Sequence, residues 1–354
     1  MNINELISAR SIAAQFTAAA SNAVPYLGEG LFPAKKKLGL DLKWIKANKG
    51  LPVSLAPSNF DAKAKLRARA GLKTEHTQMA FFRESMLVKE ADEQEVMRLI
   101  DANDPYAMEV AAHIYDDANT LIEGARVVPE RMRMQLLAPE NGSPAIYIES
   151  DGVTYEYNYD ADGSYAEKHF MALSGTGKWS DTTNSDPLTD VATAIDAVEE
   201  ESGSKPSIMV VSKKTAGYLR QNAKVKAAVL AQNAGANIVM TDAKVSEVFQ
   251  NLLGVMVVVY NKKYKDEAGV AKQFYPDDFA TLLPEGALGS TWYGTTPEER
   301  TLTANSGANV AIVNTGVAVT MHVNVNPANT ETIVSEIVLP SYERMSETYV
   351  IKVN

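Results

Sequence analysis

The sequence predicts an α+β protein with more than one body, and three observations carry that expectation. The chain has 354 residues of which 45% are apolar types, enough for a real core and more than a single core of roughly 250–300 residues usually holds. Helical stripes in its middle give way to strict alternation near its end. Charge is divided unevenly, because the first 90 residues carry 14 Lys+Arg against 7 Asp+Glu and the remaining 264 carry 20 against 37. A basic, weakly patterned first quarter on an acidic body suggests a protein completed by its neighbours.

Taken in order, the apolar spacing predicts a short helix over Asn4 to Ala19, followed by the punctuated stretch Pro25, Gly28, Gly30 and Pro33, which argues against regular structure. The densest basic run is Lys35, Lys36 and Lys37, with Lys43, Lys46 and Lys49 behind it. From Leu51 to Glu90 the chain reads as a long two-stranded excursion. Its charged tip spans Asp61 to Arg69 and carries Lys63, Lys65, Arg67 and Arg69; its return passes through Phe81 and Phe82. So little apolar content needs another surface to lie on.

A long helix follows. Asp104 suits an N-cap and Pro105 a first helical position, and Val110, Ile114, Ala118, Leu121, Ile122 and Ala125 recur on one face. Pro129 is expected to restart a second helix, stopping at Pro139. Asp151-Gly152 between two alternating runs predicts a hairpin over Ile146 to Tyr159, with Val153, Tyr155, Tyr157 and Tyr159 sharing a face. Asp186-Pro187 repeats the cap and first-position pairing. Three buried-strand runs, Ile208 to Val211, Asn237 to Thr241 and Val255 to Tyr260, alternate with helical stretches, so about 187–290 reads as an α/β body of its own. Beyond it, Val317, Val319, Met321, Val323 and Val325 alternate as a half-buried strand, Asn326-Pro327 turns into Ile333 to Leu339, and Tyr349, Ile351 and Val353 suggest a last strand.

The chemistry is sparse. There are no cysteines and only four histidines. Thiolate metal sites, disulfides and Cys nucleophiles are therefore excluded, and His76, His113, His169 and His322 lack the i, i+4 pairing of a zinc helix. Gly177-Lys178 cannot end a phosphate loop, since Ala172 and Trp179 stand where Gly and Ser/Thr are required. Ser212-Lys213-Lys214-Thr215 lacks the glycines of such a loop. Asp160-Ala161-Asp162-Gly163 has its glycine too early for a calcium loop and reads as a turn. No cofactor or metal is expected, and no enzyme. A net charge of −10 argues against the body as a nucleic-acid clamp. Ile12 to Ala20, interrupted by Gln15 and Thr17, is neither a signal peptide nor a membrane span, so the expected place of synthesis is the cytoplasm.

A set of motifs in fixed order then resembles the lambda-type phage major capsid protein family, the capsid protein E family. They are Tyr26-Leu27-Gly28 with Leu31-Phe32-Pro33, Leu42-x-Trp44-Ile45-Lys46, Phe81-Phe82-Arg83-Glu84, Asn103-Asp104-Pro105-Tyr106, Asp116-Asp117-Ala118-Asn119, Val128-Pro129-Glu130-Arg131-Met132, Trp179-Ser180-Asp181 and Thr291-Trp292-Tyr293-Gly294-Thr295-Thr296-Pro297-Glu298. The resemblance implies the HK97-like shell fold: an N-terminal arm at 1–50, an extended loop at 51–90, a peripheral domain with a spine helix at 91–186, an axial domain at 187–290, and a return to the peripheral domain at 291–354. It implies a head protein of a tailed double-stranded DNA phage, assembling as hexamers and pentamers into an icosahedral shell. The genome is enclosed without sequence-specific binding and without a membrane. Scaffold protein, maturation protease, portal and decoration protein are the further partners such shells use, a separate scaffold being expected because no assembly domain precedes the arm. The wider fold crosslinks a loop Lys to an Asn in some members, but nothing singles out Lys63, Lys65 or Lys73. The expected inter-subunit contacts are Lys35, Lys36, Lys37, Trp44, Lys63, Lys65, Arg67, Arg69, Phe81 and Phe82. The alternative is an encapsulin-like compartment shell, which shares the fold and encloses enzymes instead of a genome.

Overall fold

The computed structural model describes residues 8–20, 25–45, 74–88, 94, 98, 106–150, 152–232, 239–304, 309–325 and 328–354. In chain order the first strands are β1 (Ala34–Lys36), β2 (Asp41–Ile45), β3 (Thr74–Gln78) and β4 (Ala80–Val88). The middle of the chain adds β5 (Ala145–Ser150), β6 (Val153–Asn158), β7 (Phe170–Ala172), β8 (Ile208–Val211), β9 (Met256–Val259), β10 (Lys263–Lys265), β11 (Ala271–Gln273) and β12 (Phe279–Leu283). The last are β13 (Ser290–Tyr293), β14 (Val310–Val313), β15 (Val317–Val325), β16 (Ala328–Ser341) and β17 (Tyr349–Lys352). The described residues fall into two compact units, one drawn from 1–43, 76–132 and 290–341, the other from 44–75, 133–289 and 342–354.

The first unit is organised around β16. This strand pairs with β4 along one edge and with β15 and then β13 along the other, Val338 bridging Ala80 and Tyr293, with β14 beyond β15 and β1 parallel to β13. Alternation explains the inner face: Val317, Val319 and Met321 are buried, whereas Val323 is 46% exposed. Against that face packs the helix Ala9–Ala20, whose Ala9, Ile12 and Phe16 recur at helical spacing, together with Ala118, Leu121 and Ile122 of the long helix Tyr106–Leu137. The Ala9 N–H donates to Asn309 Oδ1 at 3.0 Å, which satisfies one of the donors a helix start leaves open. The expected cap and first position, Asp104 and Pro105, and the Asn326-Pro327 turn lie outside the described residues, as do the side chains of Val110 and Ile114.

Two local expectations are corrected here. Pro129 restarts nothing, because Tyr106–Leu137 is one helix of 32 residues with Pro129 inside it. A proline removes a single intrahelical N–H bond, and Pro129 is buried beside Glu130, Met132 and Leu136, so packing on both sides carries the helix across. The stretch from Pro25 to Pro33 is not irregular either. Leu27–Leu31 forms a short helix whose Gly28 N–H donates to the buried Glu130 carboxylate at 3.1 Å, an anion at a helix start.

The second unit holds a five-stranded sheet in the order β7-β17-β12-β8-β9. Its core joins Trp179, Val191, Ile195, Val198, Met209, Leu219, Phe249 and Ile351. The helix Pro187–Ser202 starts as expected, Asp186 accepting from the Thr189 N–H at 3.2 Å, and ends on Gly203 at φ 67°. The helices Lys213–Gln221 and Ala223–Gln232 follow β8. The expected strand Asn237 to Thr241 does not form where it is described. Residues 239–241 are irregular because Thr241 serves as the N-cap of helix Asp242–Leu253, accepting from the Lys244 N–H at 3.3 Å.

The last strand also departs from expectation. It does not extend the β15–β16 sheet; β17 pairs antiparallel with β12 and parallel with β7 in the second unit. Val350, Ile351 and Val353 are all fully buried there. The redirection occurs at Arg344, whose guanidinium donates to the carbonyls of Glu285 and Ala287 at 2.9 and 3.1 Å and pairs with Glu347 at 2.6 Å. The 187–290 segment therefore builds its sheet with strands from both sides of itself in sequence.

Candidate assembly surfaces

The lysine run of the first quarter is partly absorbed into its own sheet. Lys36 on β1 pairs with Glu299 at 2.6 Å, and Lys35 places its ammonium 5.3 Å from the centroid of the Trp292 ring. The Lys37 N–H donates to the Tyr293 carbonyl at 2.8 Å, extending the β1–β13 ladder. The helix Pro297–Ala304 presents two carboxylates in its first turn, where they also suit the helix dipole. Glu299 takes Lys36, and Glu298 takes Arg83 of β4 and the Ser335 hydroxyl, the latter at 2.8 Å. Sequence reading missed both glutamates as partners. The signal was present in Pro297-Glu298-Glu299, a proline and two acids at a helix start.

Phe81 and Phe82 sit on β4 opposite Ile337 and Glu336, each half-buried, with the Arg83 guanidinium 4.8 Å from the Phe81 ring centroid. Trp44 lies on β2, which pairs with β3. The pair β2–β3 is the described base of the excursion expected over Leu51 to Glu90, and it begins ten residues earlier in sequence, at Asp41. Lys63, Lys65, Arg67 and Arg69 lie outside the described residues.

Beside this base opens a cavity of about 1030 Å³, lined by Leu38, Leu40, Gln78, Pro297, Arg300 and Ile337 among others. The bend that forms its rim leaves Leu38 84% exposed and Leu40 46% exposed. Gly294 is required next to it, because a Cβ there would stand 2.5 Å from Ile337 and 2.8 Å from the Gly39 carbonyl oxygen.

The hairpin β5–β6 of the second unit pairs Ile146 with Tyr157, Ile148 with Tyr155 and Ser150 with Val153. Tyr155 and Tyr157 stack at 6.4 Å, and burial pushes the Tyr157 hydroxyl up to about 12. Val153 is 54% exposed.

Among the described residues no three His, Cys, Asp or Glu side chains could hold a metal ion, and no helix is long and apolar enough to cross a membrane. Asp160 and Asp162 close turns as expected: Asp160 accepts from the Tyr165 and Ala166 N–H groups at 2.9 and 3.0 Å, and Asp162 from Ser164. His169 is buried, its ring stacked on Tyr165 at 5.1 Å and its Nε2 3.3 Å from Glu201. Burial holds it below the ordinary histidine value, against the opposing pull of Glu201. These are packing arrangements around strand junctions.

Residues 8–353 match the family model described as phage major capsid protein E. The chain belongs to this family. Solved structures agree on the fold. One is a phage-related protein from Bordetella bronchiseptica RB50, 16% identical with a TM-score of 0.57 over 96% of each chain. Another is described as a prophage capsid protein from E. coli CFT073, 14% identical with a TM-score of 0.59, covering 98% of this chain and 99% of that one. The cyanophage A-1(L) capsid is 10% identical with a TM-score of 0.50, covering 91% and 90%. No match is found among curated proteins. The fold is thus the HK97-like capsid fold, and the protein is a phage major capsid protein, a structural component of the virion that assembles into shells. An encapsulin-like compartment shell is not favoured by this family.

Proposed function

We propose that the chain forms hexamers and pentamers that close into the icosahedral head of a tailed double-stranded DNA phage, assembled in the host cytoplasm. The observation that carries this reading is the family match across residues 8–353. Residues 1–50 act as the arm, 51–90 as the extended loop, 91–186 and 291–354 as the peripheral domain, and 187–290 as the axial domain. The β17 strand is the part of 291–354 that this division must lend to the other sheet. A quasi-equivalent shell needs contacts that are large yet tolerant of small changes in angle, and arms and loops laid over neighbours meet that need.

Lys63, Lys65, Arg67 and Arg69 at the loop tip meet acidic groups of an adjacent copy, while Phe81, Phe82 and Trp44 support the loop where it leaves the sheet. Lys35, Lys36 and Lys37 serve the arm. DNA is contents, enclosed by a chain of net charge −10 that repels it at short range and reads none of its sequence. A scaffold protein, a portal and a decoration protein are the partners of such a head. Electron microscopy of the protein expressed alone, and with neighbouring phage proteins, tests the reading. Closed particles, tubes or capsomers support it, and a compact monomer under every condition overturns it. Charge reversal at Lys65 and Arg67 together abolishes shells while leaving a folded monomer; intact shells would remove the loop tip from the interface.

A further inference from the structure

The hairpin β5–β6 is capped at Tyr147 on one edge and is open along the other. In an antiparallel pair, residues alternate between pointing their N–H and C=O groups at the partner strand and pointing them outward. The Tyr159 N–H donates to the Pro144 carbonyl at 2.9 Å, so the inward-facing residues of β6 are Val153, Tyr155 and Tyr157, and those of β5 alternate with Tyr147. On the β5 edge the outward groups of Tyr147 are both taken by one side chain. Gln135 Nε2 donates to the Tyr147 carbonyl at 3.0 Å, and Gln135 Oε1 accepts the Tyr147 N–H at 3.1 Å, so the amide stands in for a strand residue. On the β6 edge the outward residues are Thr154, Glu156 and Asn158, all exposed. Among the described residues nothing pairs with the backbone of Thr154 or Glu156. The edge carries no proline, lysine or bulge of the kind that guards a free strand, and a sheet of two strands is marginal.

We propose that β6 pairs antiparallel with β6 of a second copy across a two-fold axis, making a four-stranded sheet between subunits. The side chains select one register. Setting Glu156 opposite Glu156 of the other copy would oppose like charges, which destabilises a cross-strand pair. Setting Thr154 opposite Glu156 avoids that and gives the carboxylate a hydroxyl. The same register brings Tyr155 against Tyr155 and Val153 against Tyr157. Aromatic and β-branched partners stabilise such pairs, and Val153, 54% exposed in the single chain, is covered. The contact is isologous, as a two-fold requires. It rests on the shell reading above, since it needs copies held edge to edge.

The chain contains no cysteine, so Tyr155→Cys places a single thiol at the proposed axis. There the two Cα atoms of a non-hydrogen-bonded pair stand about 4.5 Å apart, within the reach of a disulfide. After oxidation of assembled particles, non-reducing gels are expected to show Y155C as a covalent dimer and Tyr147→Cys, on the capped edge, as a monomer. Particles seen in the electron microscope whose Y155C chains remain monomeric overturn the pairing while leaving the shell reading standing. Equal crosslinking of both variants overturns it too. Absence of particles in the unsubstituted protein fails the shell reading instead. Glu156→Pro is the second variant: it removes an outward N–H that the β5 ladder does not use, which an edge strand tolerates. Capsomers that no longer close are expected, and a normal yield of closed shells from E156P overturns the pairing.

Discussion

The two principal sheets differ in how far the chain must travel to close them. In the second unit, β8, β9 and β12 all come from residues 208–283, with helices lying between them in sequence, and only β7 and β17, at one side of the sheet, come from beyond that segment. In the first unit, β1 pairs with residues near 292 and β4 with residues near 334, so the sheet is assembled from both ends of the chain. The basic first quarter, unpromising by composition, thereby becomes the edge of a sheet. The lesson is that weak local pattern marks segments whose order comes from distant partners.

The comparison breaks hardest in the second core. Trp179→Ala removes a fully buried ring whose Nε1–H donates to Asp190 at 2.9 Å, and a loss of about 3–5 kcal/mol is expected. Denaturant titration checks the size, and amide exchange should show β8, β12 and β17 losing protection while β15 and β16 keep theirs. In the first unit, Gly294→Ala forces a Cβ against Ile337 and the Gly39 carbonyl. A cost of about 1–3 kcal/mol is expected, with faster exchange in β1 and the bend after it.

Lys36→Ala is a milder probe of the long-range edge. The Lys36–Glu299 pair is only partly shielded, at 29% and 22% side-chain exposure, and such pairs contribute about 0.2–1 kcal/mol. Exchange at β1 should quicken with little change in global stability, and high salt should reproduce the effect in the unsubstituted protein.

The smallest expected effect is a pH dependence in the second unit. His169 is held neutral by burial below its ordinary value, so the unfolded chain binds the proton more readily than the folded one. Stability from this group is complete above the unfolded value of about 6.5 and falls as pH drops below it. His169→Gln should flatten that slope in thermal melts between roughly pH 7 and pH 5. An unchanged slope would remove His169 from the account.

Much of the fold was legible locally. The Asp186 cap, the Gly203 stop, the Asp151-Gly152 hairpin and the alternation of β15 are all short-range signals, and each forms where its pattern places it. The misreadings share one cause. Pro129 inside a helix, a short helix at Leu27–Leu31 and the crossing of β17 to the other sheet depend on burial and partners far away in sequence, which override local propensity. For the assembly surfaces, the lysines were visible as a run but Glu299, the partner of Lys36, was not, because nothing local joins residue 36 to residue 299. The open edge of β6 was equally hidden, since an alternating strand does not reveal which of its edges a distant glutamine will cap.

By itself, the sequence determined the periodic elements, the absence of thiol and phosphate-loop chemistry, and, through its ordered motifs, the capsid family. These are properties of residue type and spacing. Only the tertiary structure decided which strands share a sheet, which lysines are spent within the chain and which backbone edge is left for another copy. Hydrogen-bonding capacity is carried by every residue alike, so its satisfaction becomes visible only when the chain is folded.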